Sequence, residues 1–372
     1  MSALRVLAFE AFYAASHRSF LDGAAAWSRH DWKLLTLPGT NWKQRMRRGA
    51  EQLAAAAGEL DGDFDVLLAT DMLDLADLAG RLPDRLARLP RALYFHENQL
   101  TYPLRPGVKR ETDLCLVNVT GALAADRVVF NSEFHRRDFL AAVPELLAAE
   151  PDAGLDPAGS AERISARSCV VHPGIDVEAI PAGEGSGPLR ILWNHRWEWD
   201  KNPDAFFGAL AELARRGADF RVLVCGEQFR RQPPAFEAGR RRLGERIEHF
   251  GFADSLEEYR RLLGRADVGV STAVQESFGI AVLEACAAGC MPLLPARLSY
   301  PELVPGDLRA ECIYELDDQL VARLESLAAD PSPARSRTAR WRAIAERFSW
   351  PQQAGLLDSC LKNLASPPKA EA

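Results

Sequence analysis

A chain of 372 residues, 47% hydrophobic and 26% charged, is long enough for two domains with full cores and has a globular composition. No apolar run approaches the roughly 20 residues of a membrane span, so no membrane insertion is expected. The net charge of -7 weighs against a chain that coats nucleic acid, yet it leaves room for a local basic patch.

Apolar strands alternate with helical segments along the whole length. The first predicted strand is 4–10, and the chain enters it almost at once, leaving no space for a signal peptide. Strands 33–38, 64–70, 92–97, 127–132 and 168–173 follow, with the Ala/Pro/Asp-rich stretch 145–159 read as a surface excursion. After the Gly/Pro-rich linker 181–188 come strands 189–196, 220–226, 247–252, 267–272 and 291–295. Two successive β/α sets predict an α/β protein of two Rossmann-like, doubly wound domains facing a cleft. They span 1–180 and 189–348, with 349–372 a C-terminal helix crossing back to the first domain and fraying at 367–372. Seven cysteines, an odd number without paired metal-ligand spacing, predict reduced thiols and a cytoplasmic protein.

In the first domain, Trp42-Lys43-Gln44-Arg45-Met46-Arg47-Arg48 carries four cations and no acid behind an aromatic. That suits phosphate contacts plus base stacking on an RNA loop, and a solvated helix face fits the charge equally well. Lys109-Arg110 and Arg136-Arg137 add cations to the same half.

In the second domain, the strand ending at His195-Arg196 leads to a helix opened by Asn202-Pro203, a good cap and first position. Arg196 and Lys201 flank that loop, and two cations beside a helix N-terminus make an anion site of diphosphate size. Surface cations paired with Glu198 and Asp200 would read the same way. Further on, Gln275-Glu276-Ser277-Phe278-Gly279 follows the strand 267–272 and opens a helix closed by Gly289. Glu276 hangs in the loop and Glu284 sits about two turns into the helix, where an open α/β sheet binds its ligand. Two carboxylates there can accept hydrogen bonds from the hydroxyls of a sugar nucleotide. Standing alone they would be two helix-surface glutamates.

These motifs together resemble the retaining GT-B glycosyltransferases of family 4: Arg196 with Lys201, Gly251-Phe252, Ala266-Asp267-Val268, Glu276 with Glu284, and His172-Pro173-Gly174-Ile175-Asp176. The first half is similar to the tRNA-queuosine α-mannosyltransferases within that family. The matching residues are Glu10-Ala11-Phe12-Tyr13 with Ser16-His17, Leu37-Pro38, Trp42, Arg45, His96-Glu97-Asn98-Gln99-Leu100 with Tyr102-Pro103, and Val128-Val129-Phe130-Asn131-Ser132. His195-Arg196-Trp197-Glu198 belongs to the same group. The chain departs at Ala14-Ala15, where the resembled proteins carry glycines, which puts the geometry of that first loop in question.

The resemblance implies that Arg196 and Lys201 hold the diphosphate and stabilise its growing charge. It implies that Glu284 accepts the ribose hydroxyls and that Glu276, with the amides near Phe278 and Gly279, holds the sugar. His96 would reach the donor sugar across the cleft, and Gly226 and Glu227 would line the base. His17, Trp42, Arg45, Asn98 and Tyr102 would face the acceptor. Reaction on a single face needs positioning and electrostatics rather than a general base or a metal. The implied donor is GDP-mannose, the implied acceptor the queuosine of a tRNA-Asp-type anticodon loop, and no obligate protein partner is implied. A relative acting on a lipid or saccharide, and a non-catalytic nucleotide-sugar or RNA-binding module, are the alternatives. A nicotinamide enzyme is disfavoured because no G-x-G-x-x-G follows the first strand.

Overall fold

A computed structural model describes residues 3–366 apart from 106, 184, 230 and 231. It contains twelve strands: β1 Arg5–Tyr13, β2 Asp31–Pro38, β3 Val66–Thr70, β4 Arg91–Phe95, β5 Arg127–Phe130, β6 Ser168–Val170, β7 Leu189–Asn194, β8 Phe220–Cys225, β9 Ile247–Gly251, β10 Val268–Val270, β11 Met291–Pro295 and β12 Ile313–Tyr314. Each expected strand has its counterpart here. β12 was not among them, since two residues carry no legible period. All pairings within the two six-stranded sheets are parallel, in the orders β2-β1-β3-β4-β5-β6 and β12-β11-β10-β7-β8-β9.

Both faces of a parallel sheet are covered by helices, so its strands are apolar on both sides. In β1, Leu7 and Phe9 belong to one core, and Val6 and Ala8 to the core on the opposite face. Into the latter packs the C-terminal helix Trp350–Ala365 through Trp350, Ala354, Leu357 and Leu361. Gly23 and Gly174 leave the space that the Trp350 indole fills; a Cβ on either would lie 2.0 or 2.3 Å from ring atoms. The chain therefore divides into two compact units, one running to Gly174 and resuming at Trp350, the other Ile175–Ser349.

That division precedes the 181–188 segment read as the linker. Ile175, Val177 and Ile180 are buried in the second unit's core, so the residues ahead of the Gly/Pro stretch are already anchored there. The stretch 145–159 lies largely at the surface, with Leu147 its one buried residue. It holds the end of a helix, Glu133–Ala149, and the start of another, Pro157–Ala166, with Leu147 and Ile164 buried. Pro157 opens the second of these helices, capped by Asp156 accepting from the Gly159 amide at 3.1 Å. The predicted frayed tail, 367–372, lies outside the described residues. No helix among those described is long and apolar enough to cross a membrane.

The strand order reverses between β1 and β3 in the first sheet and between β7 and β10 in the second. Ligands of doubly wound sheets bind beyond the carboxyl ends of strands at such switch points. The loops after β1, β3, β7 and β10 are thus where chemistry is expected.

Candidate active-site clusters

In the second unit, two loops at the switch point are stitched together. Thr272 Oγ1 donates to the carbonyls of Lys201 (3.0 Å) and Asn202 (2.9 Å), and the Val274 amide donates to Asp200 O at 2.8 Å. Asn202 turns the chain in a left-handed conformation, φ 51°, and its side chain accepts from Ala205 N at 3.4 Å to cap the helix Pro203–Arg215. This turn buries Lys201. Its Nζ donates to Gln275 O at 2.6 Å and lies 3.4 Å from both Asp200 Oδ2 and Glu276 Oε2. Lys201 and Glu276, distant in sequence, therefore meet. Arg196 is exposed, its Nη2 3.4 Å from Glu198 Oε2. Both ion pairs of the simpler reading form, but the Lys201–Asp200 pair is interior rather than superficial.

Glu284 lies on the helix Ile280–Ala287, half-buried, with Oε2 accepting from the Tyr259 hydroxyl at 2.7 Å. Asn194, at the end of β7, donates Nδ2 to that hydroxyl (3.1 Å) and to Ala281 O (2.7 Å). Burial pushes the Glu284 carboxyl above its ordinary range. Gly279 precedes this helix at φ 109°, and no side chain caps the helix start. Its first amides therefore remain available to an anion. Phe278 is buried edge-on to Phe348, its carbonyl taking a 2.7 Å bond from Ser299 Oγ. Gly226 lies against the 195–197 loop so closely that a Cβ would sit 1.8 Å from His195 O. The adjacent Glu227 carbonyl accepts from Trp197 N at 2.9 Å, while the Glu227 side chain is exposed. Burial, with Lys201 next, brings His195 down to about 3, so its ring is neutral.

In the first unit, β1 supplies Glu10, the ends of β3 and β4 are followed by Asp71 and His96, and the helix Ala15–Trp27 supplies His17. His17 Nδ1–H donates to Glu10 Oε2 at 3.0 Å, while Glu10 Oε1 takes the Phe12 amide at 2.7 Å. The His17 and His96 rings lie 4.1 Å apart, and the His96 amide donates to Asp71 Oδ1 at 2.9 Å. Burial alone would lower His17, but the Glu10 carboxylate outweighs it and holds the imidazole up at about 9. Burial, then the charge on His17, keeps His96 neutral. Burial pushes Asp71 up to about 7. The buried His96 Nε2 has no partner among the described residues. Glu10, His17 and His96 place ligand atoms within 4.8 Å of one another, a donor set a metal could use. The Glu10 oxygens are engaged by His17 and by the Phe12 amide, and the two imidazoles lie against each other. Ala15 takes φ 45°, the left-handed conformation that the missing glycine would adopt more easily.

Glu10, Asp71, Asn194 and Tyr259 carry no motif that assigns them a role. Glu10 was legible only as part of a matched string, and Tyr259 reads as an ordinary residue of an amphipathic helix. Asn98 Oδ1 accepts the Leu100 and Thr101 amides, each at 2.9 Å, so it builds its own turn. Tyr102 is half-buried, and its carbonyl receives Arg110 Nη2 at 3.0 Å.

The Glu10–His17 pair makes a pH prediction. A histidine whose folded pKa is raised contributes stability that is complete below its unfolded value and lost as pH rises through the folded one. The window for His17 is thus about 6.5 to 9, worth on the order of 3 kcal/mol. Asp71, raised to about 7, acts at lower pH, between roughly 4 and 7. Melting temperature should fall for the wild type between pH 7 and 9.5. Glu10→Gln should melt lower at pH 7 and lose that slope; a retained slope would break the pairing argument.

The basic segment forms the first turns of the helix Trp42–Gly58. Its charge is not all free. Lys43 pairs with Glu111, and Arg47 reaches Glu111 (2.5 Å) and Asp113 (2.6 Å), acids supplied from another part of the chain. Trp42 is half-buried against Met46, Met72 and Leu114. Arg45 donates Nη1 to Gln52 Oε1 at 3.0 Å.

Residues 5–175 match the family model of the tRNA-queuosine alpha-mannosyltransferase N-terminal domain, and residues 177–347 that of glycosyl transferases group 1. The chain is 35% identical over 338 residues to the tRNA-queuosine alpha-mannosyltransferase of Drosophila melanogaster, covering 88% of this chain and 87% of that one. It is 28% identical to a GDP-mannose-dependent alpha-(1-6)-phosphatidylinositol dimannoside mannosyltransferase of Mycobacterium tuberculosis, over 55% of each chain. Among solved structures, sucrose-phosphate synthase of Thermosynechococcus elongatus superposes with a TM-score of 0.72 at 14% identity, covering 98% of this chain and all of that one. That likeness shows the fold, GT-B.

Proposed function

The chain belongs to the tRNA-queuosine α-mannosyltransferases, and we propose that it transfers mannose from GDP-mannose to the queuosine of a tRNA anticodon loop, retaining the anomeric configuration. The observation that carries this reading is the likeness to the Drosophila enzyme along almost the whole of both chains. The second unit is the donor side: Arg196 and Lys201 hold the diphosphate, Glu284 the ribose, and Glu276 the sugar hydroxyls. The GDP-mannose dependence of the mycobacterial relative supports the choice of donor.

Glu276 and Glu284 both hold the donor in this scheme, which leaves neither as the carboxylate that a double displacement would need. The departing phosphate oxygen takes the proton of the incoming hydroxyl while the bond to the sugar forms on the same face. Catalysis is then positioning and charge stabilisation, with the two cations supplying what a metal would otherwise give. In the first unit, the neutral His96 has a buried ring nitrogen to offer a sugar hydroxyl, and burial, with the charge on His17 next, keeps that imidazole unprotonated. Seven free thiols and a tRNA acceptor fit the cytoplasm.

The deciding experiment incubates the protein with radiolabelled GDP-mannose, other labelled sugar nucleotides, and bulk tRNA from queuosine-replete or queuosine-deficient cells. Label should enter replete tRNA only, and only from GDP-mannose. Incorporation into deficient tRNA, or into lipid extract instead, would replace the acceptor.

A further inference from the structure

We propose that the cavity lined by Asn41, Gln44, Arg45 and Arg48 on the helix Trp42–Gly58 is a phosphate-binding subsite for the acceptor RNA, from which Lys43 and Arg47 are excluded by their own ion pairs. The proposal rests on the reading that the acceptor is a tRNA. Of the four cations in the segment, Lys43 and Arg47 stand against two acids, Glu111 and Asp113, so that group is neutral. A phosphate there would have to displace a carboxylate and gains little.

Arg45 and Arg48 differ. Both line a cavity of about 290 Å³, whose wall also carries one acid, Glu51, so its balance stays positive. The buried Arg45 Nε has no partner, and its Nη1 is turned to the neutral amide of Gln52 rather than to an acid. Arg48 makes no hydrogen bond or ion pair among the described residues. Guanidinium groups present planar forks that match phosphate oxygens, and Gln44 and Asn41 add amide donors at the same wall. A wider groove of about 800 Å³ shares Asn41, Gln44 and Arg48 with this cavity and is edged by Trp42 and by the ion-paired Lys43 and Arg47. One nucleotide can thus set its phosphate on the arginines and its base toward the indole, as single-stranded RNA loops are held.

The test is fluorescence anisotropy of a labelled anticodon stem-loop RNA across a salt series. Arg45→Gln with Arg48→Gln should weaken binding about tenfold or more and lower the salt slope by about 0.7, the contribution of the one phosphate the pair holds. Lys43→Gln with Arg47→Gln should change affinity less than about threefold and leave the slope in place. Arg45→Lys with Arg48→Lys should restore the slope but not the full affinity, since the charge returns without the fork. Circular dichroism of every variant confirms that the helix is kept. An equal loss in both Gln pairs, or an unchanged slope in the first, overturns the subsite. Wild-type RNA binding with this pattern but no mannosyl transfer would defeat the activity alone; transfer with a neutral Arg45/Arg48 pair would defeat the subsite alone.

Discussion

Arg196→Ala is expected to lower mannosyl transfer roughly 10²–10³-fold at an unchanged melting temperature, the scale of removing one donor from a developing oxyanion. The side chain is exposed, and its ion pair with Glu198 spans 3.4 Å. A solvent-facing pair of that kind contributes at most about 1 kcal/mol, so folding should not register the change. Catalysis should, because the diphosphate gains negative charge as the sugar departs, and a guanidinium placed beside it acts mostly in the transition state. Lys201→Ala is a different experiment despite a similar loss of rate. Lys201 is buried, and removing it breaks its interior ion pair with Asp200, a defect that costs about 3–5 kcal/mol. Initial rates with labelled GDP-mannose and queuosine-replete tRNA, beside thermal melts, separate the two. Arg196→Ala turning over within threefold of wild type would withdraw it from the diphosphate.

How far the sequence carried depends on which residues were local to a motif. The β7 and β10 loops were legible because Arg196, Lys201, Glu276 and Glu284 each sit next to a strand end, a cap or a turn that has a mechanism. The burial of Lys201 was not, since it comes from Thr272 and Val274 bonding across to the 199–202 turn, contacts that join residues some seventy positions apart. The same holds for the basic helix. Reading Trp42 to Arg48 gave four cations and no acid, because the acids that pair with two of them lie at 111 and 113. Asn98 stood out by its place in a matched string, which does not show the turn its Oδ1 builds with the Leu100 and Thr101 amides. Periodicity found the strands because buried parallel strands are apolar runs, and failed at β12, too short to have a pattern.

The two carboxylates of the donor side should separate in behaviour. Glu284→Ala should chiefly weaken nucleotide affinity, by about 10–100-fold, the worth of charged hydrogen bonds to the ribose. The ribose is held alike in ground and transition states, so KM rises while kcat changes little. Part of the loss has a local cause: the Tyr259 hydroxyl, now donating to Glu284 at 2.7 Å, would be left without that acceptor. Glu276→Ala should lower kcat by about 10²–10³, with GDP affinity nearly retained, because in the proposed scheme this carboxylate holds the reacting sugar and not the nucleotide. It also releases Lys201 Nζ, at present 3.4 Å away, toward Asp200 and the diphosphate, which helps preserve nucleotide binding. Calorimetric titration with GDP, which lacks the sugar, reads the difference directly. A steep loss for Glu284→Ala beside a near-normal value for Glu276→Ala is the expected outcome. Equal impairment of both toward GDP would mean that the sugar and ribose roles are not divided between them.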